Sequence, residues 1–406
     1  MCTIAVLQGV VILGLTAPWA AKALPSAAGR SEALAAAAVL CPATCPVTGR
    51  SVAATQQAED VQKLISAPVL TCNRSHRQAF LDVIALFQPS GYPGDSAAVP
   101  RFVVQPSSTP EVQQAVKAAV QFNLSLAVKG GGYSWRAFFL ADRGLTIDLS
   151  AHMNKVKVDP VHQEVVVQGG AIYSDIQAAT KPYGLAVPWG DAEQTGLGLA
   201  LGGGIGYLMR THGLTADNIV NASVVLANGS EVVATPSHNA DLLGAMRGGG
   251  TVFGVVTELA IRAHNITNYH GGVITYADDT NCTTLRALHD WAASAMAKEP
   301  SVGVEVIQVS TSPGNHTVSV QVGMPSSVAD KDRQELIAPL QRLPSILQDT
   351  LDQLDYFGFE QTVTAVGDAV QYLSQYFITA ILTFRQGQHC LRQCRQAHKV
   401  IYPLCR

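Results

Sequence analysis

Apolar and polar positions fall into a regular pattern from Arg101 onward. "RFVVQP" reads as a short strand. "TPEVQQAVKAAVQFN" repeats Val112, Val116, Ala119 and Val120 at helical spacing, one apolar stripe. Its start carries Thr109 as N-cap, Pro110 at the first helical position and Glu111 in the first turn. "LSLAVK" follows as a buried strand and runs straight into a glycine loop. A β-α-β-loop order predicts an α/β layer, with the loop at the carboxyl end of a strand, where ligands bind.

The pattern continues through "LTIDLS" and "EVVVQGG" as strands, and "AIYSDIQAATKPYG" as an amphipathic helix closed by Gly184. "NIVNASVVLANGSEVVAT" predicts a hairpin with Asn228-Gly229 in a type I′ turn. "HNADLLGAMRGGG" is a short helix that breaks at Gly248. "TVFGVVTELAIRAH" alternates like a half-buried strand. Beyond Ile266, "GGVITYA", "VGVEVIQVS" and "TVSVQVGM" read as antiparallel strands. "CTTLRALHDWAASAMAKEP", "DKDRQELIAPLQRLPSILQDTLDQL" and "VGDAVQYLSQYFITAILTF" read as helices, so this is a second, α+β unit.

Ahead of Arg101 the pattern weakens. Residues 1–23 are apolar, carry no side-chain charge before Lys22 and end on Ala21-Lys22-Ala23, an A-x-A-like cleavage site. This reads as a secretory signal peptide, with an organellar transit peptide as the competing reading. Residues 24–95 are an Ala-rich extension with a short helix near Asp60 to Ser66.

Composition adds limits. The 406 residues carry a net charge of -3 and only 14% charged side chains, which gives nucleic acid no basic surface. No later stretch reaches the ~20 apolar residues of a spanning helix. Without Cys2 the cysteines are Cys41, Cys45, Cys72, Cys282, Cys390, Cys394 and Cys405, an odd number, so not all can pair within one chain. Cys390, Cys394, His398 and Cys405 depart from zinc-ligand spacing, and no metal is expected. N-x-[ST] sequons at Asn73, Asn123, Asn221, Asn228, Asn265, Asn281 and Asn315 fit a secreted glycoprotein.

Candidate chemistry lies in three glycine clusters. Lys129-Gly130-Gly131-Gly132-Tyr133-Ser134 can turn several backbone N–H groups into one concavity, an anion nest. "GDAEQTGLGLALGGGIGYLMRTHGL" holds Gly190, Gly196, Gly198, Gly202, Gly203, Gly204 and Gly206. "MRGGGTVFGVVTEL" places Gly254 inside a β-rich run, the mark of close approach by a ligand or another backbone. Two such loops point to a diphosphate ligand. Their spacing matches neither the Rossmann dinucleotide fingerprint nor the P-loop.

The ordered motifs "RFVVQPSSTPEVQQAVKAAV", "VKGGGYS", "GLTIDLS", "VQGGAIYSDI", "GLGLALGGGIGYLMRTHGLTADNIV", "LANGSEVVAT" and "DLLGAMRGGGTVFGVVTEL" closely resemble the PCMH-type FAD-binding domain of the vanillyl-alcohol-oxidase superfamily. The nearest branch is that of berberine-bridge-enzyme-like and oligosaccharide oxidases. The resemblance implies an α+β protein. Its FAD-binding domain, of two α/β subdomains, would span 96–267. A substrate-domain-like region with an antiparallel sheet would span 268–406, atypical toward its C-terminus. By the same resemblance, Lys129 to Ser134 would wrap the FAD pyrophosphate through backbone amides. Gly190 to Gly206 would line the pyrophosphate, ribityl chain and flavin edge. Asp217 and Asn218 would pack beneath these loops, and Gly254, Val255 and Val256 would meet the adenine side.

Two departures stand out. Relatives carry a flavin-linking His where this chain has Tyr133, and many carry a second linking Cys in the segment matching Gly190 to Gly196, where Ala192 stands closest. A phenol with its ordinary pKa of ~10 is a weaker nucleophile than imidazole or thiolate, so noncovalent FAD is expected. The C-terminal segment that often helps supply the base has no match, so no catalytic residue carries over. Tyr356, Tyr372 and Tyr376 are phenols of the second unit and read as packing residues. The resemblance implies a secreted oxidoreductase that takes hydride from an alcohol or sugar-type CH–OH onto flavin, with O2 as acceptor. The alternative is a catalytically impaired or truncated flavin-binding paralogue. A third reading, the related peptidoglycan-precursor reductase type, fits the leader and the motif spacing less well.

Overall fold

The structure is a computed structural model. It describes residues 2–7, 10–16, 52–72, 75–85, 98–134, 139–266, 269–278, 283–312, 315–325, 327–352, 354–363 and 380–381. The chain divides into two compact units. The larger comprises Ala23–Tyr269 and Tyr356–Asp368, and the smaller comprises Met1–Lys22, His270–Asp355 and Ala369–Arg406. The first two strands, β1 (Cys2–Leu7) and β2 (Val10–Thr16), belong to the smaller unit.

In the larger unit, β3 (Val69–Leu70), β4 (Phe102–Val104), β5 (Leu126–Lys129) and β6 (Leu145–Asp148) form one sheet in the order β3-β4-β6-β5. Both β4 and β5 run parallel to β6, and β3 runs antiparallel to β4. Successive residues of β4 point to opposite faces. Phe102 and Val104 meet Val61, Ile65, Val112 and Val116, while Val103 meets Leu70, Phe80, Leu81 and Phe139. The helices Val52–Leu64 and Arg77–Ala85 thus supply core on the two faces of this sheet. The first of them is longer than the helix expected near Asp60 to Ser66.

The helix Thr109–Gln121 forms as expected, with small differences. Its N-cap is Ser108, one residue before the expected Thr109. Its buried face is Val112, Ala115, Val116, Ala118 and Ala119, and Val120 is 65% exposed. Eight residues on from Val112, Val120 is rotated roughly 80° around the helix and leaves the stripe. Strand β5 was expected to be buried. It is the sheet edge, and only Lys129 is buried in it.

The second sheet of this unit joins β7 (Val156–Asp159), β8 (Glu164–Gln168), β10 (Ile219–Val225), β11 (Glu231–Ala234) and β12 (Val255–Arg262) in the antiparallel order β11-β10-β12-β8-β7. A two-stranded pair, β9 (Leu185–Ala186) with β13 (His264–Asn265), lies apart from it. Strand β12 is paired on both edges and covered on both faces, so it is not the half-buried strand its alternation predicted. The β10–β11 hairpin forms, but its turn is not type I′. Only Gly229 has a positive φ, of 77°, the Gly229 N–H donates to the Leu226 carbonyl and the Leu226 N–H to Ser230. That is the three-residue loop closed by a left-handed glycine.

In the smaller unit, β14 (His270–Asp278), β15 (Gly303–Ser312), β16 (Asn315–Met324), β17 (Ile346–Asp349) and β18 (Ala380–Ile381) join β1 and β2 in the order β17-β14-β16-β15-β2-β1-β18. The stretch read as a leader therefore supplies two strands here, with β2 parallel to β15. The helices Thr283–Lys298 and Asp330–Gln341 pack on Ile274, Tyr276, Val306, Val318, Val320 and Val322. The single helix expected over 330–354 ends at Gln341, and β17 follows. Pro344 lacks the N–H a helix needs, and Ser345 adopts a φ of 65°. Residues 356–363 are helical and belong to the larger unit. The helix expected over 366–384 lies outside the described residues apart from β18. Among the described residues no helix is long and apolar enough to cross a membrane.

Candidate cofactor site

Register places Lys129, the last residue of β5, directly beside Asp148, the last residue of β6. Lys129 is 1% exposed, and its Nζ lies 3.2 Å from Asp148 Oδ1 and 3.2 Å from Ser150 Oγ. Asp148 also accepts from Ser150 N–H at 3.2 Å, Ser150 Oγ at 2.6 Å and Gln105 Nε2 at 3.2 Å. The lysine charge is thus committed to a buried pair that pins two strand ends. It is therefore not a free cation for a ligand in the loop beyond it.

That loop is Gly130 to Ser134. A Cβ on Gly130 would lie 2.9 Å from the Gly169 carbonyl. One on Gly131 would lie 2.7 Å from Ile172 Cγ2 and 2.9 Å from the Gln194 carbonyl, and one on Gly196 would lie 2.6 Å from Gly131 N. The first and second glycine clusters therefore meet backbone to backbone. Gly132 turns the chain with a φ of 75°. Among the described residues, the N–H groups of Gly131, Gly132, Gly204 and Gly206 donate no backbone bond.

The second cluster is a shaped loop. Gly190 to Gly196 leads into the short helix Leu197–Leu201, and Gly202 to Gly206 leads out of it. A Cβ on Gly204 would run into Thr215, and one on Gly206 into the Trp189 carbonyl. By contrast, a Cβ on Gly198 or Gly203 would meet nothing within 4 Å. Gly198, Gly202 and Ile205 are exposed together, so this side of the loop faces open space. These are the marks of a glycine-walled cradle whose free donors are amides, and they fit an extended pyrophosphate ligand.

Asp217 and Asn218 fasten the next turn. Asp217 Oδ2 accepts from Leu214 N–H at 2.9 Å, and Asn218 Nδ2 donates to the carbonyls of His212 and Leu214, each at 2.8 Å. Asn218 Oδ1 meets His264 Nε2 at 2.8 Å, and the rings of His264 and His212 stack at 3.9 Å. Burial pushes the His264 pKa down to about 4, with the His212 and Arg262 charges adding to it. Burial also lowers that of His212. The bolted turn holds the glycine loop, because Thr215 N–H donates to the Gly204 carbonyl at 3.1 Å and Ala216 N–H to that of Gly203 at 2.8 Å.

Gly254, with a φ of 156°, faces the Val225 carbonyl at 2.7 Å from where its Cβ would stand. The close approach that sequence anticipated there is by β10, and Val255 and Val256 pair with Val225 and Val224. Tyr133 and Ser134 are half-buried and follow Gly132, while Trp135 and Arg136 lie outside the described residues. So do Cys390, Cys394, His398 and Cys405. Among the described residues no three His, Cys, Asp or Glu side chains cluster as metal ligands.

Two features escaped the sequence reading. One is the aromatic support of the loop. Trp189 Nε1 donates to Thr195 Oγ1 at 2.9 Å, and the Trp189 ring stacks on Tyr173 at 5.7 Å and 11°. The other is a polar row in the smaller unit: Thr275, Ser319, Gln321 and Glu305 share the sheet face opposite its apolar core. Thr275 Oγ1 and Ser319 Oγ are 2.8 Å apart, and Gln321 is fully buried. Its signal was the alternation in "VGVEVIQVS" and "TVSVQVGM".

Residues 100–235 match the model of a family described as FAD binding domain. An FAD-linked oxidoreductase of Dictyostelium discoideum is 34% identical over 201 residues, 49% of this chain and 44% of that protein. Glucooligosaccharide oxidase of Sarocladium strictum is 33% identical over 214 residues, 51% of this chain and 42% of that protein. The crystal structure of 6-hydroxy-D-nicotine oxidase from Arthrobacter nicotinovorans superposes with a TM-score of 0.66 at 26% identity, covering 75% of this chain and 65% of that one. The chain thus spans less than half the length of these two curated relatives. Motif order, glycine cradle and likeness agree, and residues 100–235 form an FAD-binding domain of the kind found in the PCMH-type vanillyl-alcohol-oxidase superfamily.

Proposed function

We propose that this chain is an FAD-dependent oxidoreductase acting on the CH–OH group of an alcohol or sugar-type small molecule, with FAD bound noncovalently and O2 as electron acceptor. The observation that carries the reading is the apposition of Gly131 and Gly196, which leaves a cradle of uncommitted amides where two loops meet. FAD bound in it supplies a two-electron acceptor for hydride. The chain's own part is to hold and orient. The Gly131 and Gly132 amides take the pyrophosphate, Gly196 to Gly206 shape the wall beside it, and Lys129 fixes the strand end that launches the first loop. In the smaller unit, Thr275, Ser319, Gln321 and Glu305 form a polar row on the sheet face opposite the apolar core, which supports a hydroxylated rather than an apolar substrate.

Secretion is supported by the disulfide at Cys72 and by exposed sequon residues Asn123, Asn228 and Asn265. A second reading, a flavin-binding paralogue without turnover, is favoured by Tyr133 and Ala192 at the two tether positions.

The test is the visible spectrum of the purified chain, followed by peroxide release against a panel of sugars and aromatic alcohols. The reading expects a flavin band and peroxide with at least one donor. A flavin band with no turnover on any donor favours the paralogue. Folded protein that takes up no flavin sinks both readings.

A further inference from the structure

Tyr173 and Tyr356 are 183 positions apart, and their hydroxyl groups lie 3.0 Å from each other in a buried cluster. Tyr173 has a second role at the cofactor loop. Its N–H donates to the Thr195 carbonyl at 2.9 Å, and the next N–H, that of Ser174, donates to the Glu193 carbonyl at 3.0 Å. Its ring carries Trp189 in a parallel stack. Trp189 in turn donates to Thr195 Oγ1, which donates to the Ala192 carbonyl at 2.7 Å. The segment Gly190 to Gly196 is therefore strapped to Tyr173 by backbone, ring and side chain.

Tyr356 holds the far end of Tyr173. It sits at the start of the helical residues 356–363, is 1% exposed, and meets the Tyr269 ring edge-on at 5.0 Å. Burial keeps Tyr173, Tyr269 and Tyr356 protonated well above the ordinary phenol range, and the nearby Glu360 charge adds to this. The phenol pair is thus a neutral hydrogen bond in a dry site, where losing one partner strands the other.

We propose that Tyr356 is a positioning residue for the cofactor loop, fixing Gly190 to Gly196 through Tyr173 and Trp189. The inference rests on the FAD reading. Its physical basis is tolerance: Gly196 packs so closely on Gly131 that a small drift of its loop changes the cradle. A loop no longer held in place must be ordered when the ligand binds, and affinity falls by that cost.

The test is a titration of the flavin-free full chain with FAD, followed by quenching of flavin fluorescence, beside thermal melting of the same samples. Tyr356→Phe keeps the ring and removes one hydroxyl. It is expected to weaken FAD binding by roughly 2- to 12-fold, the range one buried hydrogen bond supports. Tyr173→Phe should weaken it equally, and the double variant no further, because both remove the same bond. The control is Tyr276→Phe in the smaller unit, which deletes a comparable bond, to the Leu340 carbonyl at 2.9 Å. It should lower the melting temperature and leave FAD affinity unchanged. Wild-type affinity in both Tyr356→Phe and Tyr173→Phe overturns the proposal, as does additive loss in the double variant. If Tyr356→Phe fails to fold, Tyr173→Phe alone decides by the same criterion. A wild-type chain that binds no FAD overturns the cofactor reading itself, a result visible before any variant is made.

Discussion

The backbone of Gly131 lies against that of Gly196, so closely that a methyl on Gly196 would stand 2.6 Å from the Gly131 nitrogen. At Gly196 only backbone surrounds that methyl, and at Gly131 the Ile172 side chain could move but the Gln194 carbonyl, 2.9 Å away, could not. Gly196→Ala and Gly131→Ala should therefore part the two loops and lower FAD affinity by more than tenfold, a shift above ~1.4 kcal/mol. Gly198→Ala separates ligand from scaffold. Its methyl meets nothing within 4 Å, and it lies in a helix. There alanine is favoured over glycine by up to ~1 kcal/mol. The flavin-free Gly198→Ala chain should melt no lower than wild type yet bind FAD more weakly. Titration and melting of the three variants check this, and undiminished binding by Gly198→Ala would move the ligand off that wall.

Lys129 and Asp148 form a buried pair, each side chain only 2% exposed. Removing one partner of such a pair strands the other charge and costs about 3–5 kcal/mol. Lys129→Met is expected to destabilise the larger unit by about that amount in urea unfolding. Lys129→Met combined with Asp148→Leu should recover much of the loss, because no charge is then left unpaired. A single variant as stable as wild type would show that the pair does not pin the two strand ends.

Local pattern carried the larger unit far. Helix Thr109–Gln121, the β10–β11 hairpin and the order of glycine loops were all legible, because each is set by neighbours within about a dozen residues. What was not legible was mostly long-range; Val120 is the local exception, since eight residues on from Val112 it is rotated about 80° off the buried stripe. Strand β5 was called buried from its apolar run, although its place at the sheet edge is decided by β6, later in the chain. Lys129 read as part of an anion nest because its partner Asp148 is supplied by another strand. Tyr356 could not be tied to the loop at all, since nothing local announces a hydroxyl pair 183 positions apart. Gly254 was legible as a close approach, but not as one made by β10.

Tyr133 stands next to Gly132, whose φ of 75° turns the loop. In the resemblance this is the position of a flavin-linking His. With a phenol there, and Ala192 rather than Cys in the second loop, acid precipitation of the yellow protein should release all flavin to the supernatant. Tyr133→His supplies a nucleophile at the same backbone position, and part of the flavin should then stay with the pellet. Colour in the wild-type pellet would show that the phenol itself forms a link.

The stack of His212 on His264 makes the turn beneath the glycine loop sensitive to acid. Asn218 Nδ2 is committed to two carbonyls, so its Oδ1 must accept from His264 Nε2, which fixes the neutral imidazole with its proton on Nε2. A second proton would place charge in a half-buried ring against His212 and near Arg262, and the His264 pKa falls to about 4. Unfolded, the same group titrates at about 6.5. Between those values the unfolded chain binds a proton that the folded chain refuses, so stability is full above about pH 6.5 and is lost as pH falls toward 4. His212, lowered by burial, acts in the same direction. Because this turn holds the Gly203 and Gly204 carbonyls, FAD should be released more readily over the same window. His264→Gln keeps a donor for Asn218 and removes the titration. Melting and FAD titration between pH 4.5 and 7.5 should show a shallower acid slope in His264→Gln than in wild type, with the curves meeting near neutrality. A slope unchanged by the substitution would place the titrating group elsewhere in the fold.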